Sequence, residues 1–96
     1  MRWALAAVIG CASIAAAAVA SAEPPAGAAA CSGCHPASTR VTSLVPRLAG
    51  LDRPVIVRAM EDFRSGKRFA TVMDRIAKGF TDDEIQAIAA WYASQR

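Results

Sequence analysis

Histidine occurs once in this chain and cysteine three times, within 96 residues. That scarcity excludes a good deal. A structural zinc site wants four nitrogen or sulfur ligands. Past residue 22 the chain offers two cysteines and one histidine, all within the six positions of CSGCHP. Three adjacent residues cannot wrap a tetrahedron. No strand-type alternation of apolar and polar residues appears anywhere, so a sheet is not expected. Internal repeats and a glycine-rich phosphate loop are also missing. Charge of one sign is scarce as well: eleven Lys and Arg stand against eight Asp and Glu, a formal net charge of +3. This is not the balance of a nucleic-acid-binding protein. Beyond residue 22 no apolar run is long enough to span a membrane.

The one long apolar run lies at the start. Arg2 is a minimal basic n-region, residues 3–19 are almost all apolar, and Ala20-Ser21-Ala22 is a small-x-small cleavage site followed by Glu23-Pro24-Pro25. This reads as a signal peptide over 1–22, with export to the periplasm. Two other readings of the segment are an uncleaved anchor and a lipobox, Val8-Ile9-Gly10-Cys11, that would lipidate Cys11. Cleavage after Ala22 leaves one small domain, 23–96. A core of that size is marginal without a disulfide, a metal or a cofactor.

The remaining cysteines, Cys31 and Cys34, stand in CSGCHP, residues 31–36. In an export compartment thiols oxidise, but a disulfide across so tight a ring removes little loop entropy. A thioredoxin-like dithiol needs a βαβ setting that the chain lacks. The remaining reading is C-x-x-C-H, the attachment signature of c-type haem. Cysteines three apart lie on one face of a helical turn. From there two sulfurs can add to the two vinyl groups along one porphyrin edge, and His35 can offer a ring nitrogen to the iron. Ser32 and Gly33 are small enough to let the turn lie close. Pro36 disfavours the α region at His35, so the helical turn should stop there.

The rest reads as helices and loops. A short helix is expected over about 26–34, weakened by Gly27. Residues 37–45 form a polar loop. Pro46 follows. A ligand histidine needs its second ring N–H held by an acceptor, and a carbonyl beside a fixed φ could serve. On the residues alone, Pro46 reads as an ordinary loop proline. Residues 52–64 form an amphipathic helix with Asp52 as cap, Pro54 in the first turn and Ile56, Met60 and Phe63 on one face. Ser65-Gly66 ends it. Residues 71–78 form a short helix with Met73, Ile76 and Ala77 inward and Gly79 as its left-handed stop. Thr81 and Glu84 form a capping box. The last helix spans 82–93 with Ile85, Ile88, Ala89 and Tyr92 as its stripe.

A methionine thioether is a known second axial partner for histidine on a cytochrome iron. Met60 sits on an apolar face with Ile56 and Phe63, as a core methionine does. Met73 follows a loop and opens a short helix, far enough from His35 for the chain to pass around a haem. Met73 is the expected sixth ligand. Arg64, Lys67, Arg68, Arg75 and Lys78 form a basic stretch beside it. They could steer an acidic partner or pair with haem propionates. They read equally well as solvated charge, since Asp74, Asp82 and Asp83 are close by in sequence.

Taken together, CSGCH, VPRLAG, EDFRSGKR, TVMDRIAKGFTDDEI and AIAAWYA occur in an order that resembles the class I c-type cytochromes. Within that family the chain is similar to the small bacterial periplasmic cytochromes that include the cytochrome subunit of flavocytochrome c sulfide dehydrogenase. The likeness runs from Cys31 to about Ala93. It implies an all-α class I cytochrome c fold, helices wrapped around one covalently bound haem c. It implies Cys31 and Cys34 as tethers and His35 and Met73 as axial ligands, with the Pro46 carbonyl holding His35. It implies that the terminal helix crosses the attachment helix, with Tyr92 or Trp91 at the contact. The implied role is electron transfer rather than catalysis. The chain would be the electron-accepting partner of an FAD-containing sulfide dehydrogenase subunit, or alternatively a free diffusible carrier between periplasmic redox enzymes and a terminal oxidase or reductase. The chain departs from the family where Pro36 replaces a usual glycine. It departs again in its short approach helix, which lacks aromatic and lysine-rich turns.

Overall fold

Local signals divide the chain into four helices with no strand among the described residues. The structure, a computed structural model, describes residues 23–95, so the signal-peptide reading and Cys11 lie outside the described residues. Helix α1 is Ala28–Cys31, α2 Arg53–Ser65, α3 Met73–Lys78 and α4 Asp82–Ser94.

Helix α2 begins where Asp52 turns extended, with Pro54 pre-set for the first turn. The Asp52 side chain makes no capping bond, so proline rather than the cap carries that start. Gly66 ends α2 at φ 78°, a left-handed geometry that favours glycine. Helix α4 has the expected capping box. Thr81 Oγ accepts from the Glu84 N–H, and the Glu84 carboxylate accepts from the Thr81 N–H at 3.0 Å.

Helix α2 packs on α3 and α4, while α1 packs on α4. The core is Ala28, Ile56, Met60, Ala77, Ile85, Ile88, Ala89 and Tyr92. Phe63, Phe80, Leu48, Met73, Cys31 and Trp91 lean on it half-buried. The expected stripe of α4 is thus inward in full, and Met60 is a core side chain. Arg64 ties the end of α2 to the start of α4 through Asp82 at 2.6 Å. Asp82 is 85% exposed, so the pair contributes about 0.2–1 kcal/mol at most.

Four expectations change. Helix α1 covers Ala28–Cys31 only, because Gly27 precedes it at φ 86° instead of lying inside it. A Cβ at Gly27 would sit 2.5 Å from the Phe80 ring, so the position requires glycine for both conformation and space. Helix α3 starts at Met73, two residues later than its pattern suggested. Ile76 is 38% exposed rather than inward, since a helix this short turns only Ala77 fully into the core. Gly79 stops α3 at φ −79°, in right-handed geometry, with its N–H bonded back to Ile76 and Ala77 carbonyls.

Two outcomes follow from these contacts. Gly27→Ala should lower unfolding stability by about 1–2 kcal/mol from the left-handed backbone alone, and further through displacement of Phe80, as read by thermal denaturation. The bond from the Thr81 N–H holds the Glu84 carboxyl below its usual range. A depressed carboxyl stabilises fully above its unfolded pKa and loses that contribution as pH falls through the folded value. Glu84→Gln should therefore flatten the acid side of the stability profile, measured by chemical denaturation across a pH series.

Candidate haem site

The helical turn that ends α1 carries on to the histidine. Cys34 N–H bonds the Cys31 carbonyl at 3.2 Å, and His35 N–H bonds the same carbonyl at 2.9 Å. Cys31, Cys34 and His35 are thereby fixed on one short rigid unit. It stops before Pro36, as that proline requires. Both thiols are free; Cys31 is half-buried and Cys34 exposed. Burial pushes the Cys31 thiol up, against smaller lowering contributions from backbone and Tyr92 hydrogen bonds. A redox-active dithiol needs the opposite, a thiolate favoured at neutral pH. Half-buried Cys31 and exposed Cys34 have the accessibility of attachment points.

The His35 ring is oriented by one contact. Nδ1 lies 2.6 Å from the Pro46 carbonyl oxygen. A carbonyl only accepts, so Nδ1 carries the proton and Nε2 holds the lone pair. That tautomer is the one a metal-ligating imidazole needs, with its second nitrogen held by a backbone oxygen. The loop bearing Pro46 is itself fixed. Ser43 Oγ accepts from the Val45 N–H, Leu51 N–H bonds Leu48, and Gly50 N–H bonds the Tyr92 carbonyl at 3.0 Å.

The two methionines part company. Met60 is enclosed in the core between α2 and its neighbours. Met73 is the first residue of α3 and half-buried, at the core margin. Around His35 and Met73 in sequence stand apolar side chains with little protein cover. Leu44 is fully exposed, Phe69 is 91% exposed, and Val41 and Val72 are more than half exposed. A domain this small does not leave such side chains on the segments beside both His35 and Met73 without something apolar to cover them. Two free thiols, an imidazole with its Nε2 free, a thioether and this apolar surround fit a haem c.

The basic stretch is partly consumed within the chain. Arg64 pairs with Asp82, and Arg68 lies over the Phe63 ring at 5.0 Å. Lys67, Arg75 and Lys78 remain exposed. Sequence reasoning left open which aromatic meets the attachment helix. It is Tyr92, buried, whose hydroxyl donates to the Ala28 carbonyl. Trp91 stands edge-on beside it, ring centroids 4.9 Å apart. The tie from Gly50 to Tyr92 carries no sequence signal beyond the glycine itself.

No family model matches the chain. Individual relatives do. The chain is 39% identical over 64 residues to the cytochrome subunit of sulfide dehydrogenase of Chlorobaculum tepidum, across 67% of this chain and 58% of that protein. It is 40% identical over 63 residues to the thiosulfate dehydrogenase electron acceptor of Stutzerimonas stutzeri, across 64% of this chain and 29% of that protein. It is 33% identical over 70 residues to cytochrome c4 of Pseudomonas aeruginosa, across 72% of this chain and 35% of that protein. The chain belongs to the class I c-type cytochromes. Its four helices are consistent with the all-α fold of that family. The matched stretch spans between about a third and somewhat over half the length of these relatives. Such cytochromes are electron-transfer proteins and subunits rather than catalytic enzymes. They imply covalently bound haem c.

Proposed function

We propose that the chain carries single electrons through one haem c held by Cys31, Cys34, His35 and Met73. It would do so as the electron-accepting cytochrome of a periplasmic sulfide-oxidising complex whose other chain contains FAD. When bound, the haem supplies a one-electron ferric–ferrous couple. The chain's own residues supply the rest. The Cys31 and Cys34 sulfurs tether the macrocycle through thioethers. His35 presents Nε2 to the metal, and the Pro46 carbonyl keeps Nδ1 protonated and the ring aimed. Met73 offers its thioether from the opposite segment, where its half-buried position leaves the sulfur able to reach a cofactor. Leu44, Phe69 and Val72 exclude water and so favour the ferrous state.

The observation that carries this reading is the His35–Pro46 bond, because it leaves Nε2 free in a chain with no other histidine. The complex with a flavin chain rests on the likeness to the sulfide dehydrogenase subunit. A second reading, a freely diffusing carrier, rests on the equally high identity to the thiosulfate dehydrogenase electron acceptor. Co-purification of a flavin-containing chain from periplasm separates the two. Recovery of the protein in that fraction, with Glu23 as N-terminus, also tests the leader reading.

The haem itself is tested on the exported protein. Colour that stays with the denatured chain, with a weak Met–ferric charge-transfer band in the near-infrared of the native one, is the expected result. No covalent haem would overturn the proposal. Met73→Ala should abolish low-spin six-coordination and that band while leaving the haem attached. Met60→Ala should leave the ligand spectrum intact and cost about 2–5 kcal/mol of stability. The reverse pattern would exchange the two methionines' roles.

A further inference from the structure

We infer that Tyr92 is the positioning residue for the His35 ring: its two ends hold the two segments that the His35–Pro46 bond joins. The inference rests on the reading of His35 as an iron ligand. It concerns what sets the strength of that ligand.

The bond from Nδ1 to Pro46 bridges two separate pieces of chain. One is the turn 31–35, rigid with α1 through the Cys34 and His35 N–H bonds to Cys31. The other is the segment 46–51, closed on itself by the Leu51 to Leu48 bond. Helix α1 is four residues long, too short to hold its own position. It is fixed to α4 through the buried Ala28, whose carbonyl accepts the Tyr92 hydroxyl. The other segment is fixed to α4 through Gly50 N–H, which donates to the Tyr92 main-chain carbonyl at 3.0 Å. Gly50 reaches it at φ 81°, a backbone shape that favours glycine. Donor and acceptor of the histidine bond are therefore both referenced to one residue. Tyr92 is 6% exposed and braced by the edge of Trp91, so the reference point does not move.

The consequence is chemical as well as mechanical. A firm Nδ1–H to carbonyl bond raises the electron-donating strength of the imidazole toward a metal. Loosening it weakens the donor and disfavours the ferric state. The hydroxyl of Tyr92 thus tunes the couple through the attachment helix, beside Ala28 and Cys31, with no contact to the ring it governs.

Tyr92→Phe isolates this role, because it keeps the aromatic body and the main-chain carbonyl and removes only the hydroxyl. The holoprotein should then show two changes. Hydrogen exchange of the His35 ring N–H should quicken by roughly three- to tenfold, the factor for losing one net hydrogen bond. The reduction potential should rise. Ile85→Val is the control: it thins the same helix at its largest fully buried side chain and touches neither tie. It should lower stability while leaving exchange and potential as in the parent. Equal behaviour of the two variants at matched stability would overturn the inference and make Tyr92 a core residue only. Should Tyr92→Phe fail to yield folded holoprotein, the parent decides. Exchange of the Gly50 amide and of the His35 ring proton should follow one denaturant dependence, as members of one opening unit. Separate dependences would overturn the inference. A His35 ring proton without paramagnetic shift in the ferric state would instead overturn the ligand reading, and the inference with it.

Discussion

Eight buried side chains, three of them alanine, form the described core. A folded chain of this length gains little from so small a set. Burial of an aliphatic side chain contributes about 1.5–3 kcal/mol, while each ordered residue loses about 1–2 kcal/mol of backbone entropy. The constraint therefore lies outside the protein part. Something apolar must complete the core, and the chain shows where. Leu44, Phe69, Val41 and Val72 stand uncovered on the segments that carry Pro46 and Met73. In a class I cytochrome the haem plays this part, at once cofactor and largest piece of the core. The helices need only form three sides of a box. Helix α2 packs on α3 and α4, and α1 closes on α4.

The same shortage explains how the site is held. Ligands on loops need external fixing, and here it comes from main-chain hydrogen bonds instead of bulk. The Cys31 carbonyl takes two N–H groups and makes the attachment turn one unit. The Pro46 carbonyl, on a residue with no N–H and a locked φ, takes the ring proton. Each of these is a backbone acceptor, so none depends on a side-chain rotamer. Met73, by contrast, is a flexible thioether at a helix start, on the segment whose position rests on α2 packing. His35 and Met73 are thus held with different stiffness.

Much of this was readable in the sequence because it rests on local rules. The capping box of α4, its inward stripe, the stop at Gly66 and the turn ending at Pro36 are all short-range patterns. The structure reproduces each of them. CSGCH was legible for the same reason, since attachment chemistry needs its residues adjacent. The choice of Met60 as core followed from helical periodicity, and Met60 is enclosed; Met73 as candidate ligand followed from its place after a loop, far from His35 in sequence. The signal-peptide reading was equally local, and it falls outside the described residues.

What stayed hidden was whatever depends on two distant pieces meeting. Gly27 read as a weak residue inside a helix. It takes left-handed geometry, and Phe80, over fifty residues away along the chain, fills the space of a Cβ there with its ring. Ile76 read as inward by spacing, but α3 is so short that only Ala77 turns fully into the core. Tyr92 read as one member of a stripe and, through the family resemblance, as one of two aromatics for the helix contact; neither reading says more than which face is buried and what it meets. Neither says that the hydroxyl finds a helix carbonyl or that the main chain beside it takes a loop N–H. Those two bonds have no sequence code, because any tyrosine on that face would look the same. They arise from geometry alone, where, among the described residues, the shortest helix and the longest loop both meet Tyr92 on α4.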